Sequence, residues 1–254
     1  MNTPLPSVYD LILDASLSSL WIQILHNDTT CVAQCWQSDH RATEVLASAL
    51  GHACLQLGIA PKAFRRIAIA NGPGSFTGIR LALATAAGLR RAGGAAVGVF
   101  GTLHLLAQDV FLQTQSTKPI HIITPAQRGF VHYQAFQAEN GRIIPRSSVD
   151  LCAYEDLAGR CGEDCVYGYG MDRHPMFAKG GYCLLCALGQ PRAEAYHMCA
   201  RDAIYSEQDA EPCYVRQCDA YANLDLLAKR QGMDAQLAKE RFARLQTMPP
   251  HSLC

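Results

Sequence analysis

Apolar residues dominate Tyr9 to Asp14 and predict a buried strand. Leu20–Leu25 and Thr30–Trp36 predict two more strands. Between them stands His26-Asn27-Asp28-Thr29, whose central Asn and Asp mark a hairpin turn. The period then changes. Ala42, Val45, Leu46, Ala49, Leu50, Ala53 and Leu57 recur at i, i+3, i+4 and i+7, which predicts a helix from about His40 to Leu57, with Asp39 as cap and Gly58 as stop. Arg65–Ala70 predicts a short buried strand, the segment from Leu81 a helix stopping at Gly93-Gly94, Ala96–Phe100 a strand and Thr102–Gln113 a helix. The polar stretch 113–119 predicts a linker to a second lobe. Beyond it, Pro119–Thr124, Val131–Gln137 and Cys165–Tyr169 predict strands, Asn140-Gly141 a turn, and Ala193–Tyr205 a helix. Residues 224–245 are helical in composition, with a break near Gly232; Met171–Pro191 shows no clear period. The organisation expected is a first lobe over 1–107, a second over 108–216 and a helical segment over 217–254.

The strand at Ala70 passes into the following helix through Asn71-Gly72-Pro73-Gly74-Ser75-Phe76-Thr77-Gly78-Ile79-Arg80. Gly72 and Gly74 open backbone angles closed to other residues, Pro73 fixes the angle between them, and Ser75 is placed to cap the helix. Bare helix N–H groups attract anions, but the spacing does not fit the known phosphate loops. Five residues separate Gly72 from Gly78, Ile79 stands where a Walker loop needs lysine, and Thr77 stands where a dinucleotide fingerprint needs its third glycine. Gly78, Ala82, Thr85 and Ala86 recur about one turn apart along this helix. Such a small-residue face allows close approach, either of the chain's own sheet or of another subunit.

Composition narrows the class. Of 254 residues 49% are hydrophobic and 17% charged, which suits a well-buried α/β protein and hints at apolar surface covered by a partner. Lys plus Arg and Asp plus Glu number 22 each, so no broad basic surface for gripping nucleic acid unaided is expected. No apolar run approaches a membrane span, and the opening MNTPLPSVYD lacks the pattern of a secretory signal, so a cytoplasmic protein with reduced cysteines is expected. Of the 12 cysteines, Cys183 and Cys186 have zinc-ligand spacing and Cys161 and Cys165 lie close in sequence. The residues between Cys183 and Cys186 are apolar and read as a strand, so no bound metal is expected.

GPGSFTGIRLALATAAGL resembles the signature of the TsaB (YeaZ) family of bacterial tRNA threonylcarbamoyladenosine biosynthesis proteins, which is close to GPGSFTGLRIGLATAKGLA. Leu11-Ile12-Leu13-Asp14-Ala15-Ser16 is similar to the family's opening strand, usually ILAIDTS. His40 sits where the family often opens its first helix, and Pro212-Cys213-Tyr214-Val215-Arg216 is similar to its late Pro-x-Tyr-Leu-Arg motif. The family's Asp-Ala-Arg-x-Gly-Glu loop survives only as Ala126 and Gly129, with Pro125, Gln127 and Phe130 at its other places.

The resemblance implies an α/β protein of the actin-like ATPase (ribonuclease H-like) fold in two lobes. It also implies a non-catalytic subunit that binds TsaD and, with the ATPase TsaE, serves modification of the adenosine next to the anticodon. ATP and metal are expected on those partners, tRNA is reached only through the complex, and a homodimer is expected without TsaD. The expected interface pairs the two first-lobe helices, through Ala42, Ala49, Ala53, Phe76, Gly78, Ala82, Thr85 and Ala86, with their equivalents on another subunit as four helices. In actin-like ATPases an acid ending the first strand serves the metal–phosphate site, so Asp14 and Ser16 mark a candidate vestigial phosphate site. The alternative is a stand-alone kinase or peptidase of the same fold. Against it, no His-x-x-x-His motif is present, His104, His121 and His132 are isolated, and Ser75 is not in a Gly-x-Ser-x-Gly context.

Overall fold

The computed structural model describes residues 8–37, 42–126, 129–162, 164–171, 185–213 and 215. Met1–Cys213 forms one compact unit and Tyr214–Cys254 a second; the architecture below is that of the first. The segment 217–254, His40, Asp39 and Cys183 lie outside the described residues, as do the side chains of Ala42 and Cys186.

The first sheet is built from β1 (Tyr9–Asp14), β2 (Ser19–His26), β3 (Thr29–Gln37), β4 (Phe64–Ala70), β5 (Ala96–Phe100) and the two-residue β12 (Tyr205–Ser206), in the order β12-β5-β4-β1-β2-β3. β1, β2 and β3 are antiparallel, and β4 and β5 run parallel to β1. The β2–β3 turn takes positive φ at Asn27 (49°) and Asp28 (63°), residues whose short polar side chains tolerate that region.

Alternation along the strands splits the core into two layers. Leu11, Leu13, Ile22, Ile24, Ile67 and Ile69 meet α1 (Ala42–Leu57) and α2 (Phe76–Gly93) on one face. Ile12, Trp21, Leu25, Ala68 and Phe100 meet Leu105 of α3 (Thr102–Thr114) and Ala195, Tyr196 and Cys199 of α5 (Ala193–Asp202) on the other.

The second sheet has the order β11-β10-β6-β7-β8, with β9 also paired to β7. Its strands are β6 (Ile120–Pro125), β7 (Phe130–Glu139), β8 (Arg142–Pro145), β9 (Asp150–Ala153), β10 (Val166–Tyr169) and β11 (Leu185–Leu188). Leu103, Leu106, Ala107 and Val110 of α3 cover one face of this sheet. On the other face Cys152 of β9, and Leu157 and Cys161 of α4 (Leu157–Cys161), pack against Ile123, Val131 and Tyr133.

The chain then returns to the first sheet. The helix expected to run from Ala193 to Tyr205 ends at Asp202, because Tyr205 is taken up by sheet pairing with Gly98. A Cβ at Gly98 would stand 3.0 Å from the Tyr205 ring, so the glycine makes room for it. β8, β9 and α4 had no clear signal in the sequence; each is only four or five residues long.

Candidate functional site

The turn between β4 and α2 and the end of β1 form one unit, held backbone to backbone. Ser75 N–H donates to Ser16 O at 2.7 Å, Thr102 N–H to Gly72 O at 2.8 Å and Asn71 N–H to Phe100 O at 3.0 Å. Ser75 caps α2 as expected, its hydroxyl accepting from Gly78 N–H at 3.2 Å, and Gly94 closes the helix at φ 78°. Gly72 takes φ 112° and needs to be glycine for that reason.

Gly74 does not share that angle, which corrects the expectation of a special backbone conformation there. Its reason is proximity: a Cβ at Gly74 would lie 2.1 Å from Ser16 O, and one at Gly78 would lie 1.9 Å from Ala15 O. Cys213 N–H donates to Asn71 O at 2.8 Å, and Asn71 Nδ2 donates to Glu211 O at 3.1 Å, so the segment leading into the late Pro212 motif is tied to the same turn.

Asp14 lies beneath this turn, 1% exposed. Its Oδ1 accepts from Ser16 N–H at 2.7 Å and from Ser16 Oγ at 2.6 Å, and its Oδ2 accepts from the Tyr196 hydroxyl at 2.8 Å. Thr102 Oγ1 donates on to Ser16 Oγ at 2.7 Å. Gln190 Nε2 donates to the Tyr196 oxygen at 2.9 Å while its Oε1 accepts from Ser19 Oγ. Trp21 stacks on Tyr196 at 4.7 Å between ring centroids, and Phe100 meets it edge-on. Burial pushes the Asp14 carboxyl above the usual carboxylate range, against the downward pull of the bonds from Ser16 and Tyr196. Burial, then the neighbouring Asp14, push the Tyr196 hydroxyl well above its usual value and keep it a donor.

Both carboxylate oxygens accept from internal donors, so Asp14 and Ser16, the candidate vestigial phosphate site, stand in a buried joint that ties the end of β1 to Thr102 of α3 and Tyr196 of α5. No local pattern points to Tyr196 or Gln190, which come from far along the chain.

The two first-lobe helices lie against one another, with their small residues turned inward. Ala82 and Ala86 are wholly buried, Gly78 is buried, and Ala49 and Ala53 face the same core layer. Of the two uses open to the small-residue face, it serves the chain's own sheet, beside the buried Leu46 and Leu50. Small side chains let the helices sit close to the strands. Of the expected interface, Phe76 stands at the surface, 55% exposed under the Arg80 guanidinium at 3.8 Å, and Thr85 is half-buried. Thr77 is exposed at the helix start. The helices present a second set outward: Leu55, 78% exposed, with Ala47, Ala84 and Gly88.

Among the described residues no group of three or more His, Cys, Asp or Glu is arranged to hold a metal ion, and no helix is long and apolar enough to cross a membrane. Cys161 is buried in the second-sheet core and Cys165 is half-buried; the expectation about Cys183 falls outside the described residues. Of the isolated histidines, His121 is buried with Nδ1 2.8 Å from the Tyr133 hydroxyl, His132 lies 3.3 Å from Thr124 Oγ1, and His104 packs edge-on to Phe136.

A first sheet ordered β3-β2-β1-β4-β5, with helices on both faces and a second mixed sheet behind α3, defines a two-sheet α/β protein of the actin-like, ribonuclease H-like class. The comparisons agree. The family model described as TsaD, tRNA N6-adenosine threonylcarbamoyltransferase, matches residues 37–159, a little under half of the chain. A solved Pseudomonas aeruginosa structure, described as an uncharacterized protein with similarity to peptidase YEAZ, superposes with a TM-score of 0.69 at 22% identity, covering 82% of this chain and 100% of that one. YeaZ from Pseudomonas aeruginosa superposes with a TM-score of 0.66 at 22% identity, covering 82% and 99%. No curated protein matches the chain in sequence. In fold the chain is YeaZ-like, in keeping with the resemblance of its Gly-Pro-Gly-Ser-Phe-Thr-Gly turn.

Proposed function

We propose that this chain is a non-catalytic, cytoplasmic subunit for tRNA threonylcarbamoyladenosine synthesis. In this reading it docks a TsaD-family protein, which carries the metal, nucleotide and transfer chemistry, alongside a TsaE-family ATPase, and it meets tRNA only within that assembly. The observation that carries the reading is the threonylcarbamoyltransferase family match over 37–159, which takes in the whole signature turn and α2. The committed oxygens of Asp14 support a subunit without chemistry of its own at that position.

The docking surface we assign is the exposed side of α1 and α2, with Ala47 and Leu55 on α1 and Phe76, Ala84 and Gly88 on α2. Small exposed residues there admit a partner helix, and two large apolar side chains supply area to bury. A charge placed at such a contact is desolvated without a partner and costs several kcal/mol, on the order of 3–5. The test is co-purification with the same organism's TsaD-family protein. Wild type and Ala33→Lys, a change outside this surface, should retain the partner; Phe76→Arg and Leu55→Glu should lose it while keeping their fold. Retention by all four chains sets aside this surface, and retention by none sets aside the reading. The rival, a stand-alone enzyme, requires ATP or peptide hydrolysis by the chain alone that disappears in Asp14→Ala.

A further inference from the structure

Among the described residues two buried side-chain polar atoms lack a hydrogen-bond partner, Oε1 of Gln34 and Nε2 of His121. A buried polar atom left unpaired calls for an explanation, and the second belongs to a titratable ring. His121 stands on β6 beside Val166 of β10 and Ala135 of β7, on the face that α4 covers. Its ring stacks with that of Tyr133, and Nδ1 is 2.8 Å from the Tyr133 hydroxyl. Nε2 is 3.6 Å from Oδ2 of Asp164, too far for a hydrogen bond. Asp164 lies in the turn from α4 to β10, where its N–H donates to Cys161 O at 3.0 Å. Its side chain is 35% exposed against 7% for His121, so the acid is the partner with room to move. The neutral ring cannot satisfy both ends. With Nδ1 as the donor, Nε2 is a bare acceptor turned on a carboxylate; with Nε2–H, the acceptor is out of reach.

We propose that His121 and Asp164 form a proton-operated clamp. A proton on the ring makes Nε2 a charged donor, draws the Asp164 carboxylate in to about 2.8 Å, and fastens the α4–β10 turn to β6. Nδ1–H then donates to the Tyr133 oxygen, so both ring nitrogens are used. The groups around the ring leave Asp164 as its acid. Tyr133, from β7, stays neutral, its hydroxyl pushed up to about 12 with burial the main cause. α4 supplies Cys161 and Arg160; the Arg160 guanidinium lies 5.3 Å from the centre of the Tyr133 ring and is paired with Asp150 of β9 at 2.9 Å. β9 also supplies Cys152, whose thiol burial pushes up. β10 places Val166 at this register, and Glu163 lies outside the described residues. Burial holds the ring below the ordinary imidazole range while Asp164 pulls it back up, so the clamp closes on the acid side of about 6.5. The device belongs to the second sheet and is independent of the function proposed above.

The test follows the full chain, labelled with ¹⁵N-histidine, by NMR from pH 8 to pH 4.5. The His121 ring is identified by its proximity to the Tyr133 ring protons. Hydrogen exchange at amides 162–166 is measured over the same range as protection factors, which removes the intrinsic pH dependence of exchange. Asp164→Asn changes a part-exposed side chain, so it keeps the fold and removes the charge. In wild type the His121 ring should gain its second N–H within this range, and protection at 162–166 should rise roughly threefold or more as it does. In Asp164→Asn the midpoint of the ring should fall by about one unit or more, and protection should stay level. A ring that stays neutral throughout in wild type, a midpoint unmoved in Asp164→Asn, or level protection in wild type would overturn the proposal. So would one zinc ion per chain by elemental analysis that is lost in Asp164→Asn, which would make the gap between Nε2 and Oδ2 a metal position.

Discussion

The Tyr196 hydroxyl donates to Oδ2 of Asp14 at 2.8 Å and joins α5 to the end of β1 across 182 residues of sequence. That one bond turns the acid of the first strand inward. Tyr196 is itself wholly buried between Trp21 and Phe100, and Gln190 holds its oxygen from the other side.

Tyr196→Phe keeps the ring stack and removes the hydroxyl. It leaves the buried Asp14 Oδ2 without its donor and the half-buried Gln190 Nε2 without its acceptor. A buried polar group left unpaired costs about 1–3 kcal/mol. Urea unfolding should show a loss in that range; an unchanged midpoint would mean that the bond contributes nothing net.

Asp14 also gives a pH dependence with a defined sign. Burial raises its carboxyl in the folded chain, so the folded state holds the proton more tightly than the unfolded state. The associated stability is fully present below the unfolded value, about 3.9, and is lost as pH rises through the raised folded value. Asp14→Asn removes the ionisation, keeps an acceptor for Ser16, and has an amide that can donate to the Tyr196 oxygen. Its stability relative to wild type should therefore be greater at pH 8 than at pH 4. A difference independent of pH would show that Asp14 titrates like an exposed carboxylate.

Gly74→Val and Gly78→Ala should both destabilise. Each added Cβ would fall about 2 Å from a backbone carbonyl oxygen, Ser16 O at 2.1 Å and Ala15 O at 1.9 Å, and a backbone cannot swing aside as a side chain does. Overpacking of this kind costs about 1–3 kcal/mol or more. Thermal unfolding decides it, and wild-type melting temperatures would contradict the close approach.

Much of the first sheet was legible because each signal is local. The Asn27-Asp28 turn, the period of α1, the Ser75 cap and the Gly94 stop all appear where residue chemistry places them. Gly74 shows the limit: a glycine in sequence announces freedom but not whether the need is an angle or a gap. The Ala49, Ala53, Ala82, Ala86 face shows another. Periodicity finds the stripe, yet a stripe of small residues fits equally well under a helix or over it, and only the position of the sheet decides. Ala82→Arg consequently tests folding, since Ala82 has no exposure, while Phe76 and Leu55 test docking. The Asp14–Tyr196 joint was illegible because nothing near either residue names the other.

The accessory-subunit claim is tested most directly by reconstitution. The organism's TsaD- and TsaE-family proteins are incubated with unmodified tRNA, ATP and a threonylcarbamoyl donor, and threonylcarbamoyladenosine is measured by mass spectrometry with and without this chain. The account predicts product that depends on the chain and is undiminished when a folded Asp14→Asn variant replaces it. Product formed equally well without the chain, or formed with wild type and lost with Asp14→Asn, would contradict it.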